Sequence, residues 1–215
     1  MKVVRAVIVA AVVVFVVLFL WRSRNELVKL DYAKGPTRAA WQRPAKVVAA
    51  LGLQPGDRVA DLGAGDGYFT FLLADAVGST GRVYAVDVAE HKVTGLEAKA
   101  QIKDYGNVDA VLGELDDPRL PDRGVDLVFL CNTYHHIESR TNYFKRLQAD
   151  LRPGGRVAVV DMRDDLEGLA ALFAHRDHWI ARETLEGEMK IAGYRLEQRF
   201  DSLPVQSFEI FTPAE

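Results

Sequence analysis

Residues 59–70 read VADLGAGDGYFT. A short apolar run, RVADL (58–62), stops at glycines spaced Gly63-x-Gly65-x-Gly67, and a new apolar pattern, GYFTFLLADAV, runs to Gly78. The run and its bounds predict a buried strand, a tight turn and a helix. In a doubly wound sheet, ligands sit beyond the carboxyl ends of the strands, so this turn is the natural site. Glycine lets backbone approach a ligand without a Cβ in the way; packing of the turn on its own helix would also call for glycine. The spacing is not the G-x-G-x-x-G of dinucleotide-binding turns. Asp61 and Asp66 flank and enter the loop. Two carboxylates repel a pyrophosphate and attract a ligand that carries an ammonium and a sulfonium.

Outward from this turn, strands and helices alternate. RVYAVDV (82–88), VDAVLG (108–113), VDLVFL (125–130) and RVAVVD (156–161) read as strands. AEHKVTGLEAKAQIKDYG and ESRTNYFKRLQADL read as helices, the second stopped by Pro153-Gly154-Gly155. Three of the strands are almost continuously apolar, which fits burial on both faces of a parallel sheet. A further helix near 181–192 precedes YRLEQRFDSL and VQSFEIFT, an antiparallel hairpin expected at the sheet edge. The fold class is α/β, doubly wound and Rossmann-like, with seven mostly parallel strands and a C-terminal antiparallel hairpin. Thr37 reads as the cap of a helix to about Leu51, kinked or split at Pro44.

Asp87 closes the second strand twenty positions after Gly67. A carboxylate there accepts two hydrogen bonds from a ribose diol, and it is also a competent helix cap. VADLGAGDGYFT followed by VYAVDV resembles the first two motifs of the class I S-adenosylmethionine-dependent methyltransferases. LRPGGRVAVVD and AGYRL resemble two later motifs, and the likeness runs from about Thr37 to Thr212. The resemblance implies S-adenosyl-L-methionine as cofactor. It implies that the backbone of Gly63, Ala64, Gly65 and Gly67 holds the methionine part, with Asp61 near its amino group. Asp87 would bind the ribose hydroxyls and Val88 would pack on adenine. An acidic residue after the third strand would face the adenine amino group, with Asp116 or Asp117 as candidates and Glu114 as the alternative.

The fourth strand is followed by CNTYHHIESR (131–140), which puts Asn132, Thr133, Tyr134, His135 and His136 at one strand end. Methyl transfer asks mainly for alignment and exclusion of water. A base is needed only where the acceptor loses a proton, and histidine suits that near neutral pH. His135, His136, Asn132 and Tyr134 are the catalytic candidates, with either histidine as the base. His175 and His178 share helical spacing, but no carboxylate-rich metal motif accompanies them. Cys131 is the single cysteine, which excludes a disulfide framework within the chain.

The first residues differ in kind. After MKVVR come sixteen apolar residues, Ala6 to Trp21, enough for a helix of about 24 Å against a hydrocarbon core of about 30 Å. A cleaved signal peptide would share the basic start, but no pair of small residues marks a cleavage site. Residues 1–23 are therefore read as a membrane anchor, 24–36 as a linker and 37–215 as the methyltransferase domain. Five cations between Arg22 and Arg38, against Lys2 and Arg5 before the span, place the domain on the cytoplasmic side of a single-pass protein. A net charge of −3 and the lack of a basic stripe speak against nucleic acid. The expected partner is a small-molecule or lipid-like methyl acceptor.

Overall fold

The computed structural model describes residues 36–164 and 179–214. The chain divides into a unit Met1–Trp41, of which only helical residues 36–41 are described, and a unit Gln42–Glu215. The anchor and linker segments, apart from Pro36, lie outside the described residues. Among the described residues no helix is long and apolar enough to cross a membrane.

The elements are α1 (Pro36–Gln42), α2 (Pro44–Ala50), β1 (Arg58–Leu62), α3 (Thr70–Val77), β2 (Arg82–Asp87), α4 (Glu90–Ile102), β3 (Val108–Leu112) and β4 (Val125–Cys131). They continue with α5 (Arg140–Leu147), β5 (Leu151–Arg163), β6 (Trp179–Ile180), α6 (Arg182–Ile191), β7 (Tyr194–Phe200) and β8 (Gln206–Pro213). The strand order is β3-β2-β1-β4-β5-β8-β7, with β6 paired to the end of β5. Pairing is parallel from β3 through β5, and β5–β8 and β7–β8 are antiparallel. Chain order reverses between β1 and β4, so the ends of those two strands form the switch point at which such sheets bind ligands.

The apolar runs are explained by two cores, one on each face. Val128, Leu130, Val157 and Val159 pack with Phe144, Leu147 and Met189 of α5 and α6. Leu127, Phe129, Ala158 and Val160 point the other way, onto Val47 of α2 and Leu73 and Val77 of α3. Successive side chains of a strand alternate between faces, so a strand covered on both sides must be apolar throughout.

Three expectations need correction. The first helix starts at Pro36, where proline's missing N–H costs nothing, and not after a Thr37 cap. The split expected at Pro44 is present: Arg43, at φ 46°, separates α1 from α2, which starts at Pro44. Pro153-Gly154-Gly155 does not precede the fifth strand but lies inside it. Val125 pairs with Leu151 and Leu127 with Arg156, so β5 carries a bulge that accommodates the proline. The sheet also gains an eighth strand, the two-residue β6.

Candidate active site

The glycine loop is sewn to the end of β2. Gly63 and Ala64 donate their N–H groups to Val86 O at 2.9 and 3.0 Å. Gly65 N donates to Asp87 Oδ2 at 2.9 Å, and Gly67 N to Ala64 O at 2.9 Å. Four amides are thus spent within the chain. A phosphate cradle needs them free, so the loop is not built for a pyrophosphate. Gly63 and Gly67 have φ of 72° and 82°, and each is also tight. A Cβ on Gly63 would collide with the Thr133 side chain, and one on Gly67 with Phe71 and Leu96. Gly67 therefore serves helix packing, while Gly63 lets β1 and the segment after β4 close on each other.

Beyond these strand ends lies a cavity of about 440 Å³, within the usual range for small-ligand sites. Leu62 and Gly63 form its floor, with Val86, Asp87 and Val88 from the end of β2. Glu114 and Leu115 come from the turn after β3. Asn132, Thr133, His136 and Ile137 come from the segment after β4, and Tyr143 from α5. Asp87 is fixed from two sides, since its Oδ1 also takes the Ala89 N–H at 3.0 Å. Val88 and Leu115 are apolar side chains left 53% and 77% exposed, which gives one end of the cavity two greasy walls facing solvent.

The structure sorts the sequence candidates. Gly63, Asp87, Val88, Asn132 and His136 line the cavity; Ala64, Gly65 and Gly67 stand behind it in the loop. Asp61 is buried and its Oδ2 accepts the Thr70 hydroxyl at 2.6 Å, so it braces the start of α3 instead of forming the cavity wall. Asp116 turns outward to Arg146, and Asp117 receives the Arg119 N–H at 2.7 Å. Glu114 is the acidic residue of that turn that reaches the cavity.

Tyr134 is a correction. Its ring is in the core, stacked on Phe144, and its hydroxyl donates to Glu188 Oε2 at 2.7 Å. Burial and the neighbouring Glu188 push the phenol far above its usual range, and Tyr134 anchors the turn from the core and does not line the cavity. Burial opposes ionisation of Glu188, but bonds from Arg140 and Tyr134 outweigh it and hold that carboxyl below its ordinary value.

The two histidines part company. The Tyr134–His136 turn is 3₁₀, so neighbouring side chains diverge. His135 Nδ1 lies 2.7 Å from Asp161 Oδ1, with side chains 4% and 1% exposed. His136 lines the cavity, its ring centroid 4.1 Å from that of His135. Cys131 accepts a contact from Gln42 Nε2 at 2.8 Å. Among the described residues no cluster of three or more His, Cys, Asp or Glu could hold a metal; His175 and His178 lie outside them. Sequence reasoning missed Leu115 and Ile137, which carry no polar signal, and Tyr143, which lies in a segment read only as a helix. It also missed Asp161, whose place at the end of an apolar strand was the available clue.

With this geometry in hand, the comparisons decide the family. A model described as "Methyltransferase domain" matches residues 53–198. The chain belongs to that family. It is 33% identical over 144 residues to the 2-phytyl-1,4-naphtoquinone methyltransferase of Synechococcus elongatus, covering 65% of this chain and 60% of that protein. It is 32% identical over 114 residues to the arsenite methyltransferase of Halobacterium salinarum, covering 53% of this chain and 29% of that protein. The crystal structure of a SAM-dependent methyltransferase from Aquifex aeolicus superposes with a TM-score of 0.76 at 25% identity, covering 87% of this chain and 97% of the other. The chain thus spans less than two thirds of those two named relatives. Membership of this family and the likeness to the SAM-dependent methyltransferase from Aquifex aeolicus agree with S-adenosylmethionine as methyl donor. The cavity fits that donor: its loop amides are spent, a fixed carboxylate stands at the end of β2, and apolar walls flank it.

Proposed function

We propose that this methyltransferase methylates a small lipophilic acceptor of the quinone class, and does so at a membrane. The observation that carries the reading is the juxtaposition, in one cavity, of Asp87 and Gly63 with Asn132, Thr133 and His136. The first pair suits a nucleoside donor; the second group suits alignment of an acceptor. S-adenosylmethionine supplies a methyl group already activated by its sulfonium. Asp87 would accept the ribose hydroxyls, and Val88 and Leu115 would flank adenine. Glu114, which also pairs with the Arg119 guanidinium, is favoured over Asp116 and Asp117 for the adenine amino group because it lines the cavity and they do not. The loop Gly63–Gly67 would face the methionine part with its carbonyls. Asn132, Thr133 and Ile137 would hold the acceptor in line with the methyl group, where orientation supplies much of the rate. His136 would take the proton that a ring carbon or hydroxyl loses on methylation.

The naphthoquinone relative supports the acceptor class, and the run Ala6–Trp21 supports a site beside the membrane that dissolves such acceptors. The cations after that run favour a single-pass anchor with the domain facing the cytoplasm, where the donor is made. Arsenite is disfavoured as substrate. Arsenic(III) is a soft centre that calls for thiolates, and the sole thiol of this chain, Cys131, is engaged by Gln42.

The test uses the full chain in detergent micelles with S-adenosylmethionine and, in turn, a reduced 1,4-naphthoquinone unsubstituted at one ring carbon, and arsenite. Formation of S-adenosylhomocysteine with the quinol alone supports the proposal. Formation with arsenite alone overturns it. Donor binding with no turnover on any quinol removes the acceptor class and leaves the donor site intact.

A further inference from the structure

Gln206 opens β8, pairs with Met162 of β5 and is 1% exposed. Its Nε2 lies 2.7 Å from Asn132 Oδ1, while its Oε1 has no hydrogen-bond partner among the described residues. A buried amide that is half satisfied costs free energy that an apolar residue of the same size would not. The useful half is the one that touches Asn132.

Asn132 is itself strained. It sits at φ 55°, a left-handed conformation that asparagine tolerates better than other non-glycine residues. Its backbone N–H is spent on Val160 O at 2.9 Å. Its Oδ1 is taken by Gln206, and its Nδ2 has no partner among the described residues although the residue lines the cavity. The sulfur of Cys131, 2.8 Å from Gln42 Nε2 and 3.9 Å from Gln206 Nε2, lies on the other side of the Gln206 NH₂ group.

We infer that Gln206 is a positioning residue that sets the polarity of the site. By occupying the Asn132 carbonyl it turns the Asn132 NH₂ group into the cavity, where it recognises a ligand oxygen: a carboxylate, a carbonyl or a phenolate. Two sources offer that chemistry, the carboxylate of the donor's amino-acid part and an oxygen of the methyl acceptor. The identity of these ligands rests on the proposed function; the orientation of the amide pair does not.

Nuclear magnetic resonance of the full chain in detergent micelles comes first, without ligand. Side-chain amide resonances are assigned by comparison with Asn132→Asp and Gln206→Glu. Rapid water exchange of the Asn132 NH₂ and protection of the Gln206 NH₂ are expected; the reverse pattern overturns the inference. Calorimetry then compares wild type and Gln206→Met, which is of similar length, donates no hydrogen bond and so no longer holds the Asn132 carbonyl away from the cavity. The ligands are S-adenosylhomocysteine, 5′-methylthioadenosine and 1,4-naphthoquinone. A tenfold or greater loss for S-adenosylhomocysteine, with 5′-methylthioadenosine unchanged, assigns the oxygen to the donor's carboxylate. A similar loss for the naphthoquinone alone assigns it to the acceptor. Unchanged affinity for all three in a folded variant overturns the inference. If the variant does not fold, the Asn132 NH₂ resonances of the wild type decide: they move on titration with S-adenosylhomocysteine or the naphthoquinone, or the inference fails. Absence of S-adenosylhomocysteine binding to the wild type would instead count against the donor site, and the role of Gln206 then stands or falls on the ligand-free exchange pattern.

Discussion

The Asp161 carboxylate holds His135 twice, by Nδ1 at 2.7 Å and by its backbone N–H at 3.3 Å, and caps its own neighbour through the Met162 N–H at 2.8 Å. Both side chains are almost fully buried. The pair joins the end of β5 to the turn after β4, which carries Asn132 and His136. Removing one partner strands a buried polar or charged group, a loss of about 3–5 kcal/mol. His135→Ala and Asp161→Ala are expected to lower the melting temperature by roughly 6–20 °C, at about 2–4 °C per kcal/mol for a domain of this size. Scanning calorimetry checks this; a melting point within about 2 °C of wild type, less than 1 kcal/mol would produce, would show that the pair does not brace the turn.

His136 faces the cavity, so His136→Ala should separate chemistry from folding. If it is the base, turnover falls by about 10²–10⁴, with binding of S-adenosylhomocysteine and the melting temperature nearly unchanged. A variant with wild-type turnover on an acceptor that must lose a proton would take His136 out of that role.

Asp87 combines a proposed ligand contact with its bonds to Gly65 N and Ala89 N. Hydrogen bonds to a charged group contribute about 1.5–3 kcal/mol each. Asp87→Ala should therefore weaken S-adenosylhomocysteine by about 100-fold or more in calorimetric titration, and Asp87→Asn by less. Unchanged affinity in both would remove the ribose role.

Gly63 and Gly65 both have positive φ, but only Gly63 is sterically closed. Gly63→Ala should cost about 2–4 kcal/mol, from left-handed backbone and from collision with Thr133. Gly65→Ala meets nothing nearer than Gly63 O at 3.9 Å and should cost only the backbone part, about 1–2 kcal/mol. Urea unfolding of the two variants gives the comparison, and equal losses would mean that Thr133 yields.

Asp150 is pushed up to about 6 by burial first, then by Asp117 and Asp122. A carboxyl raised in the folded state favours folding below its unfolded value, and that contribution is lost as pH rises through the folded one. Between about pH 4 and pH 6 the wild type should therefore lose stability from this group as pH increases. Asp150→Asn keeps the backbone carbonyl that caps Gly124 and Val125. It should be more stable at about pH 7.5 by about 1 kcal/mol, after discounting for partial solvent exposure, and no more stable at about pH 4. Thermal melts at the two values test it.

The sequence alone determined the alternation of strands and helices, the bounds of five strands within a residue or two, though not those of β5, β6 or the end of β7, and the strand ends beyond which the cavity lies. These follow from local causes: apolar runs covered on both faces, glycines at positive φ, and an acidic residue at a strand end. What it could not separate were neighbours of equal chemistry. His135 and His136 are alike in sequence, and only the 3₁₀ turn with Asp161, brought from 26 residues away, sends one into the core and the other to the cavity. Tyr134 reads as a polar active-site residue until Glu188, 54 positions on, takes its hydroxyl. Glu114 and Leu115 reach the cavity, and Asp116 does not, because Arg146 of α5 draws Asp116 outward. Gln206 carries no signal beside Asn132 until β8 inserts between β5 and β7. Local periodicity fixes which face a residue occupies; which partner it meets there depends on contacts between distant parts of the chain, and only the tertiary structure decides those.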